Sequence, residues 1–567
     1  IDGYGTAKHT VLWAKKVPLL YSPYLVLPVK TKRQTGFLIP GVTTSDRKGF
    51  EYEQPFFWAI SDHSDATFYV DHMSDRGTKI GAEYRYIISH KTKGAVYLDG
   101  LEDDKIDDGT DATSDYSYSE TPQRTNEERF WLRMKHNQEL PSGFKAKVDI
   151  DVVSDEDYLH EFKDGFTGYT ATKEYFEDEF GRSLDEYDDY TRKNSVRFSK
   201  SWSNYSFRAN TIWYDNVRAR RQNTADTTLQ TLPSIAFDAS KSRIAGSPFY
   251  YSLDSEYVTY YRKDTTSTLV NGQRADLHPK IYMPVKLGKF VNFEPSVGAR
   301  ETIYHTNGFT DVNGDSDDFR TREIYDLGAT LSSKVIKIFN MNNSWADKAK
   351  HEIVPEVTYS FIPSVDQEDL PYFDEEDRIA KENKITYSLT NNFITKKTRI
   401  TPKGKESTDY RDLAYVKLSQ SYDLKKERDN ESEPFSDISL EAELIPGDFF
   451  TLDAEVDWNP YSSHFRKINA GSTIKDNRGD SLRTEYRYTS SLSHSAYARL
   501  DIRITDQLST YYSIERNLET DTTVETRTGL AYSKSCWRVD LFFEESDDSV
   551  SVGFLVNLFG IGEFGAK

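Results

Sequence analysis

The feature that most constrains this chain is a strict alternation of apolar and polar side chains over long segments. In residues 450–458, FTLDAEVDW, every second residue is apolar and the intervening residues are Thr, Asp and Glu. The same pattern recurs in residues 498–504 and 550–558. Because successive side chains of a β-strand point to opposite faces, this period of two predicts strands with one apolar and one polar face.

The spacing of these segments predicts a membrane-spanning barrel. Strands of a soluble sandwich average about 5 or 6 residues, whereas transmembrane barrels use about 9 to 11, joined alternately by short turns and long polar connections. The long connections lie at residues 103–128, 155–192 and 364–383 and are expected to be extracellular loops. We therefore predict an all-β fold, a closed antiparallel transmembrane β-barrel of about 26 strands between residues 36 and 559.

Composition agrees with this fold and excludes other classes. Aromatic residues make up 14% of the chain, while the mean hydropathy is only −0.70. Low hydropathy is expected of a barrel, because only alternate residues face lipid. The formal net charge of −20 gives no electrostatic basis for a nucleic-acid partner.

The first thirty residues are predicted to lie outside the barrel. Residues 5–12 form a plausible strand, and a run of apolar and proline residues follows it. Thirty residues are too few for an independent domain. We expect residues 1–30 to be the end of a periplasmic module and its linker, and residues 31–567 to be the barrel.

A set of linked motifs carries a family resemblance. Residues 17–29 read VPLLYSPYLVLPV, residues 30–40 read KTKRQTGFLIP, and residues 50–60 read FEYEQPFFWAI. Asp65-Ala66-Thr67, Arg76-Gly77 and Glu83-Tyr84-Arg85-Tyr86 follow. In this order and approximate spacing the motifs resemble the LptD family, and residues 532–544, YSKSCWRVDLFFE, resemble its penultimate strand.

The resemblance implies a lipopolysaccharide translocon in the Gram-negative outer membrane. Such a protein receives lipopolysaccharide from the periplasmic Lpt bridge through a β-jelly roll, of which residues 1–30 would be the remnant. It inserts the lipid into the outer leaflet through a lateral gate between its first and last strands. The implied partners are an LptE-type plug lipoprotein inside the barrel and, during biogenesis, the barrel-assembly machinery. The N-terminus would lie in the periplasm, and no cofactor is implied.

Two prolines are the candidate gate residues of the first two strands. Proline has no N–H to give to a β-ladder, and LptD proteins carry gate-weakening prolines that match Pro40 and Pro55. The alternative is that either proline merely ends a strand or sits in a bulge. On the last strand, Val552, Phe554 and Val556 are the expected gate residues, since the first and last strands of an up-and-down barrel must pair.

The single cysteine, Cys536, has two interpretations. Many LptD proteins carry an adjacent cysteine pair here that is bridged to the periplasmic domain, and the matching positions in this chain are Ser535 and Cys536. The resemblance therefore implies at most one such disulfide, to a partner in the N-terminal domain that is missing here. The alternative is a buried or lipid-facing thiol.

Other chemistry has weak support in the sequence. Residues 311–319, DVNGDSDDF, offer oxygen donors at alternate positions as calcium loops do, namely Asp311, Asn313, Asp315 and Asp317. Ser316 replaces the usual glycine and Arg322 the usual glutamate, so the alternative is a solvated acidic loop. No nucleophile elbow, metalloprotease helix or phosphate loop is present, and we expect no enzyme. The alternative function is a porin or ligand-gated outer-membrane transporter.

Overall fold

The computed structural model of the chain defines most of its residues. The described residues are 4–14, 17–28, 33–38, 40–45, 47–106, 126–266, 268–341, 345–400, 405–429, 432–534, 537–546, 549–558 and 562–565.

The N-terminal strands form a sheet of their own. β1 (Tyr4–Ala14) and β2 (Val17–Pro28) pair antiparallel, with a register that runs from Tyr4 opposite Pro28 to Ala14 opposite Val17. Neither strand belongs to the barrel sheet. Whether residues 1–30 are the remnant of a jelly roll remains a prediction.

All other strands belong to one closed barrel. They are β3 (Gly36–Phe37), β4 (Gly41–Ser45), β5 (Gly49–Ser61), β6 (Ser64–Met73), β7 (Gly77–Ser89), β8 (Thr92–Glu102), β9 (Glu128–Glu139), β10 (Lys145–Val153), β11 (Thr191–Ser201), β12 (Tyr205–Asn216), β13 (Gln230–Arg243), β14 (Tyr250–Tyr261), β15 (Asn271–Tyr282), β16 (Val285–Leu287), β17 (Val291–Asn307), β18 (Phe319–Ser333), β19 (Val335–Asn340), β20 (Lys348–Ile362), β21 (Glu382–Ile400), β22 (Glu406–Asp423), β23 (Ile438–Gly447), β24 (Phe450–Asn459), β25 (His464–Lys475), β26 (Ser481–Thr489), β27 (Ser493–Arg503), β28 (Leu508–Asn517), β29 (Thr522–Lys534), β30 (Trp537–Ser546), β31 (Ser549–Leu558) and β32 (Gly562–Gly565).

Three barrel strands are interrupted. β3 and β4 both pair with β5, β15 and β16 with β17, and β18 and β19 with β20. Each of these couples is therefore one strand with a break. With each couple counted once, and without the four-residue β32, which pairs only with the end of β31, the described residues form a barrel of 26 antiparallel strands, which confirms the predicted fold class.

Several strands are longer than the sequence predicted. β17, β21 and β22 span 17, 19 and 18 residues. At about 3.4 Å per residue, such strands exceed what is needed to cross a bilayer, even when they are tilted. This part of the wall therefore extends beyond a hydrocarbon core.

The long connections all leave the same end of the barrel, which we call the loop end, and the opposite end is the turn end. The described helices are α1 (Tyr158–Glu161), α2 (Tyr169–Phe180), α3 (Val217–Gln222) and α4 (Leu424–Arg428), with single 3₁₀ turns at Pro141–Gly143 and Glu375–Asp377. Among the described residues, no helix is both long and apolar enough to cross a bilayer.

The two faces of the wall are inverted relative to a water-soluble protein. On β6, Phe68 and Val70 are 43% and 48% exposed, whereas Tyr69 and Asp71, which alternate with them, are buried. Arg129, Arg133, Arg192, Arg274 and Arg322 are among the most deeply buried side chains of the described chain. An apolar outer face and a charged interior are what a barrel immersed in lipid requires.

Candidate functional site

The joint between the first and last strands, which we call the seam, is very short. In the described part of the chain, β4 and β31 pair at two positions only, Ser45 with Ser551 and Thr44 with Val552. By contrast, the ladder between β30 and β31 runs their full length, from Ser546 opposite Ser549 to Trp537 opposite Leu558. The barrel therefore closes through far fewer backbone hydrogen bonds than hold its other strands together.

Pro40 lies at the break in the first strand. Phe37 is opposite Phe56, whereas Gly41 is opposite Glu53, so the first strand has one residue more than β5 between these pairs. Pro40 therefore sits in a β-bulge between β3 and β4, as one of the alternatives from the sequence allows. The bulge separates the half of the strand that meets β31 from the half that does not.

Pro55 lies inside β5, opposite Tyr69 of β6. Its carbonyl accepts a hydrogen bond from the Leu38 N–H at 2.9 Å, so this side of Pro55 faces the first strand. Pro55 has no N–H to return to the Leu38 carbonyl. The side chain of Gln54 takes over this function, because its Nε2 donates to the Leu38 carbonyl at 2.7 Å and to the Pro55 carbonyl at 3.0 Å.

The candidate gate residues of the last strand lie in different surroundings. Val552 is opposite Thr44 in the seam itself, and its side chain is 54% exposed. Phe554 is 36% exposed and lies beyond the pairs that β31 forms with β4. Towards the turn end, β32 pairs with β31 from Leu555 to Leu558, with Val556 opposite Phe564. The free edge of β31 is thus shared between the first strand and the C-terminal segment.

Residues 154–190, which we call loop A, fold back against the inner face of the barrel instead of extending outwards. Two buried arginines hold the loop at its base. Arg76 donates to Asp103 at 2.8 Å and to Glu161 at 2.8 and 2.9 Å. Arg129 donates to Asp155 at 2.6 and 2.9 Å and to Asp103 at 2.7 Å. Each charge is paired, as burial requires.

An apolar cluster packs loop A against the wall. Its buried members include Trp131 of β9 and, from loop A, Tyr158, Phe162, Tyr169 and Phe176. Trp131 donates its Nε1–H to Asp151 of β10 at 2.8 Å. The Arg133 guanidinium lies 3.9 Å from the Trp131 ring centroid and donates to the Thr167 carbonyl at 2.7 Å. The cluster gives loop A a small hydrophobic core inside the barrel.

Loop A reaches most of the way down the lumen. Glu179, near the end of α2, accepts from Lys93 at 2.9 Å, and Lys93 is the second residue of β8 from the turn end. At residue 164 the loop approaches β30, which lies on the other side of the seam, since burial and the nearby Glu544 carboxylate of β30 raise the pKa of Asp164. The expected extracellular loop is therefore an internal one, because its aromatic and charged side chains find partners in the lumen.

A second internal segment, residues 363–381, which we call loop B, packs on another part of the wall. Phe373 stacks on Tyr260 of β14, with ring centroids 4.4 Å apart and an interplanar angle of 8°. Arg274 of β15 donates to Asp374 and, at 2.7 Å, to the buried Asp377. Arg322 of β18 donates to the Glu376 carbonyl oxygen at 2.8 Å. Both loops thus use strand arginines as anchors.

Hydrogen bonds within the candidate calcium loop already engage its first donor, Asp311. Asp311 Oδ1 accepts the N–H groups of Asn313 and Asp315 at 2.9 and 2.8 Å, and Oδ2 accepts from Arg320 at 3.1 Å. The Asp315 N–H above all, then the Asn313 N–H and Arg320, lowers the pKa of Asp311. Asp317 is not among its contacts. Within the described residues, no group of three or more His, Cys, Asp or Glu side chains could hold a metal ion.

Cys536 lies outside the described residues, as does its neighbour Ser535, so its pairing remains a prediction. The sequence-based reading missed the two internal loops. A signal for loop A was available, since residues 158–187 combine many acidic residues with eight aromatic ones, a composition unlike a solvated loop.

The family model described as LptD, LPS transport system D, matches residues 127–518. The LPS-assembly protein LptD of Alkalilimnicola ehrlichii is 24% identical over 576 residues, covering 95% of this chain and 67% of that protein. The LPS-assembly protein LptD of Nitrosomonas eutropha is 24% identical over 584 residues, covering 98% of this chain and 72% of that protein.

Among solved structures, the alcaligin outer membrane receptor FauA of Bordetella pertussis is 7% identical and covers 96% of this chain and 78% of that one. Its TM-score of 0.25 is too low to show a shared fold.

Proposed function

The chain belongs to the LptD family, LPS transport system D, and from this premise we propose that it is an outer-membrane translocon for lipopolysaccharide. It receives the lipid at the turn end from the periplasmic bridge. The sugar head group enters the polar lumen, and the acyl chains pass into the outer leaflet through a lateral gate. The gate is the seam between β4 and β31.

The short seam is the observation that carries this proposal. Backbone hydrogen bonds net about 0.5 to 1.5 kcal/mol each in water and more in lipid, where no water replaces a broken bond. Two paired positions between β4 and β31 therefore give a joint that costs far less to part than the full ladder between β30 and β31. Pro40 and Pro55 act on the first strand, the former through its bulge and the latter through its missing N–H.

The inner wall opposite loop A supports the presence of a plug lipoprotein of the LptE type. Arg483 and Arg487 of β26 flank Glu485 on the inner face, and the two arginine side chains are 61% and 56% exposed. Charged surface of this kind suits a polar protein partner. We further propose that the N-terminus lies in the periplasm, where β1 and β2 continue a jelly roll that joins the Lpt bridge, and that the barrel-assembly machinery inserts the barrel.

The two internal loops argue against the alternative of a general porin. A porin relies on a water-filled lumen for diffusion. Here loop A spans most of the height of the lumen, as its contact between Glu179 and Lys93 demonstrates. Because loop A occupies much of the lumen, the lipid leaves through the weakly bonded seam and not through a central pore.

A disulfide across the seam tests the proposal. Thr44→Cys with Val552→Cys joins β4 to β31 at residues that are opposite each other, in a background that carries Cys536→Ser. Opposed residues of antiparallel strands have Cα atoms about 4.5 to 5.5 Å apart, which a disulfide can bridge. We expect the oxidised protein to stop delivering lipopolysaccharide to the cell surface and to recover on reduction.

The matched control keeps the same first cysteine. Thr44→Cys with Phe50→Cys joins β4 to β5, an ordinary ladder in which these residues are also opposite each other. This bond should leave surface delivery unchanged. Normal delivery through an oxidised seam would contradict the proposed exit route.

A further inference from the structure

A basic cavity lies between loop A and the inner wall of the barrel. It has a volume of about 220 Å³ and is bounded by β9, β10, β11 and the segment after α2. Its lining includes Lys147, Arg182, Ser183, Lys193, Ser195 and Arg197. Lys147 is the third residue of β10 from the turn end. The cavity therefore begins close to the turn end of the lumen.

The carboxylates around this cavity are already engaged. Arg182 donates to both oxygens of Asp149, at 2.9 and 3.0 Å. Asp151 accepts from Arg192 and from the indole of Trp131. Asp185 accepts the backbone N–H of Lys193 at 2.7 Å. These contacts lock loop A to the wall and leave the acids little capacity for further cations.

Three cations of the cavity are left without a carboxylate. Lys147 of β10 and Arg197 of β11 are directly opposite each other in the ladder. Like charges in this arrangement repel. Within the described residues, neither Lys147, Lys193 nor Arg197 forms a salt bridge, and Arg197 donates only to the side chain of Asn210, at 2.9 Å. In a chain of net charge −20, such a concentration of uncompensated positive charge calls for an anion.

We propose that this cavity binds an anionic group, a phosphate or a carboxylate, on the head group of the transported glycolipid. The inference rests on the proposed function, since it takes the lipid to enter the lumen from the turn end. A guanidinium donates to such a group through a planar fork, and an ammonium neutralises it as a point charge. Ser195, which lies between Lys193 and Arg197 on β11, adds its hydroxyl to the lining of the cavity. The cavity is a transient binding site for the head group on its route along the wall beside loop A.

The test places a photo-crosslinking amino acid at Ser195 of the full-length protein in its native complex and membrane. Light should attach lipopolysaccharide to this position. In Lys147→Gln with Arg197→Gln the crosslinked fraction should fall at least about tenfold, because each lost charged hydrogen bond weakens binding by roughly this factor. Lys147→Arg with Arg197→Lys keeps both charges and should restore the crosslink. This result would show that the glutamine variant loses binding because it lacks the charges, and not because the barrel misfolds.

A matched control removes two cations elsewhere on the inner wall. Lys467→Gln with Arg499→Gln takes away cations that are paired with Glu455 and Asp501. Crosslinking from Ser195 should stay within about twofold in this variant. An equal fall in both variants would overturn the assignment, because it would reflect net lumen charge rather than a site.

Two further arms identify the source of the anion and separate the two proposals. Inorganic phosphate that binds the purified complex at this cavity, while no lipid crosslinks to Ser195, would overturn the head-group assignment in favour of a free ion. A second crosslinker at Phe554, beside the seam, reports on the proposed function. Lipid captured at Phe554 but never at Ser195 would refute the cavity alone, whereas capture at neither position would refute the translocon.

Discussion

The side chain of Gln54 should hold the first strand of the barrel in place. Its Nε2 donates to the Leu38 carbonyl, which Pro55 leaves without a main-chain donor. Gln54→Ala removes this bond, and the carbonyl then has no donor from β5. We expect the first strand to loosen and the seam to part more often, so that the outer membrane leaks.

The size of the effect follows from the carbonyl that is left unpaired. Leaving a desolvated polar group without its partner costs about 1 to 3 kcal/mol, and the bilayer offers no water in compensation. At about 1.4 kcal/mol per tenfold change, the open fraction of the seam should rise about 5- to 140-fold.

Entry of large antibiotics that an intact outer membrane excludes is a suitable assay, together with hydrogen exchange at β3. Tyr52→Phe is the control, because it removes only the hydroxyl that donates to Gln54 Oε1 at 3.0 Å. The decisive variant combines Gln54→Ala with Pro55→Ala, which returns a main-chain N–H to the Leu38 carbonyl and should restore the barrier. A leak-free Gln54→Ala, or a leak that Pro55→Ala does not repair, would refute this role of the side chain.

Three further predictions concern the loop, the prolines and the cysteine. Burial and the carboxylates of Asp155 and Glu161 raise the pKa of Asp157 to about 7. Because the folded state then binds the extra proton, loop A should lose up to about 4 kcal/mol of stability as pH rises from 4 to 7. Hydrogen exchange, corrected for the effect of pH on its intrinsic rate, should show this loss in the parent protein and not in Asp157→Asn. Pro40→Ala with Pro55→Ala should stiffen the first strand and slow surface delivery of lipopolysaccharide, and unchanged export would disprove it. In the full-length protein extracted from cells, Cys536 should resist alkylation until it is reduced, and a freely reactive thiol would exclude the disulfide.

Most of the fold could be predicted from the alternation of apolar and polar residues with a period of two. Each barrel ladder except the seam joins neighbours in sequence, so the alternation of residues such as 450–458 sufficed to count 26 strands. The internal loops depend on contacts between distant residues. Arg76 meets Glu161, 85 residues further along, and Arg274 meets Asp374, 100 residues further along. The local sequence pattern does not reveal such pairs, so the charged loops A and B were predicted to be exposed to solvent.

The region of the seam was predictable in part for the same reason. Proline at positions 40 and 55 indicated a weak ladder, because a missing N–H is a local property. The bulge at Pro40 and the substitute donor Gln54 depend on the register between β3, β4 and β5, which a single strand does not reveal. The basic cavity likewise needs Lys147 and Arg197 to be brought into register by β10 and β11.

The two-pair joint between β4 and β31 also bears on the order of assembly. Every hairpin of the wall can form as soon as its own residues are available, at a small entropic cost, whereas joining β4 to β31 must close a ring through the whole chain. Because the pairing of β4 with β31 is both the last to form and the weakest, the barrel closes late in assembly and opens first at the seam. The half-built sheet is thus a long-lived curved ribbon with two free edges, and an assembly factor that adds a temporary strand to either edge can hold it without opposing its final closure.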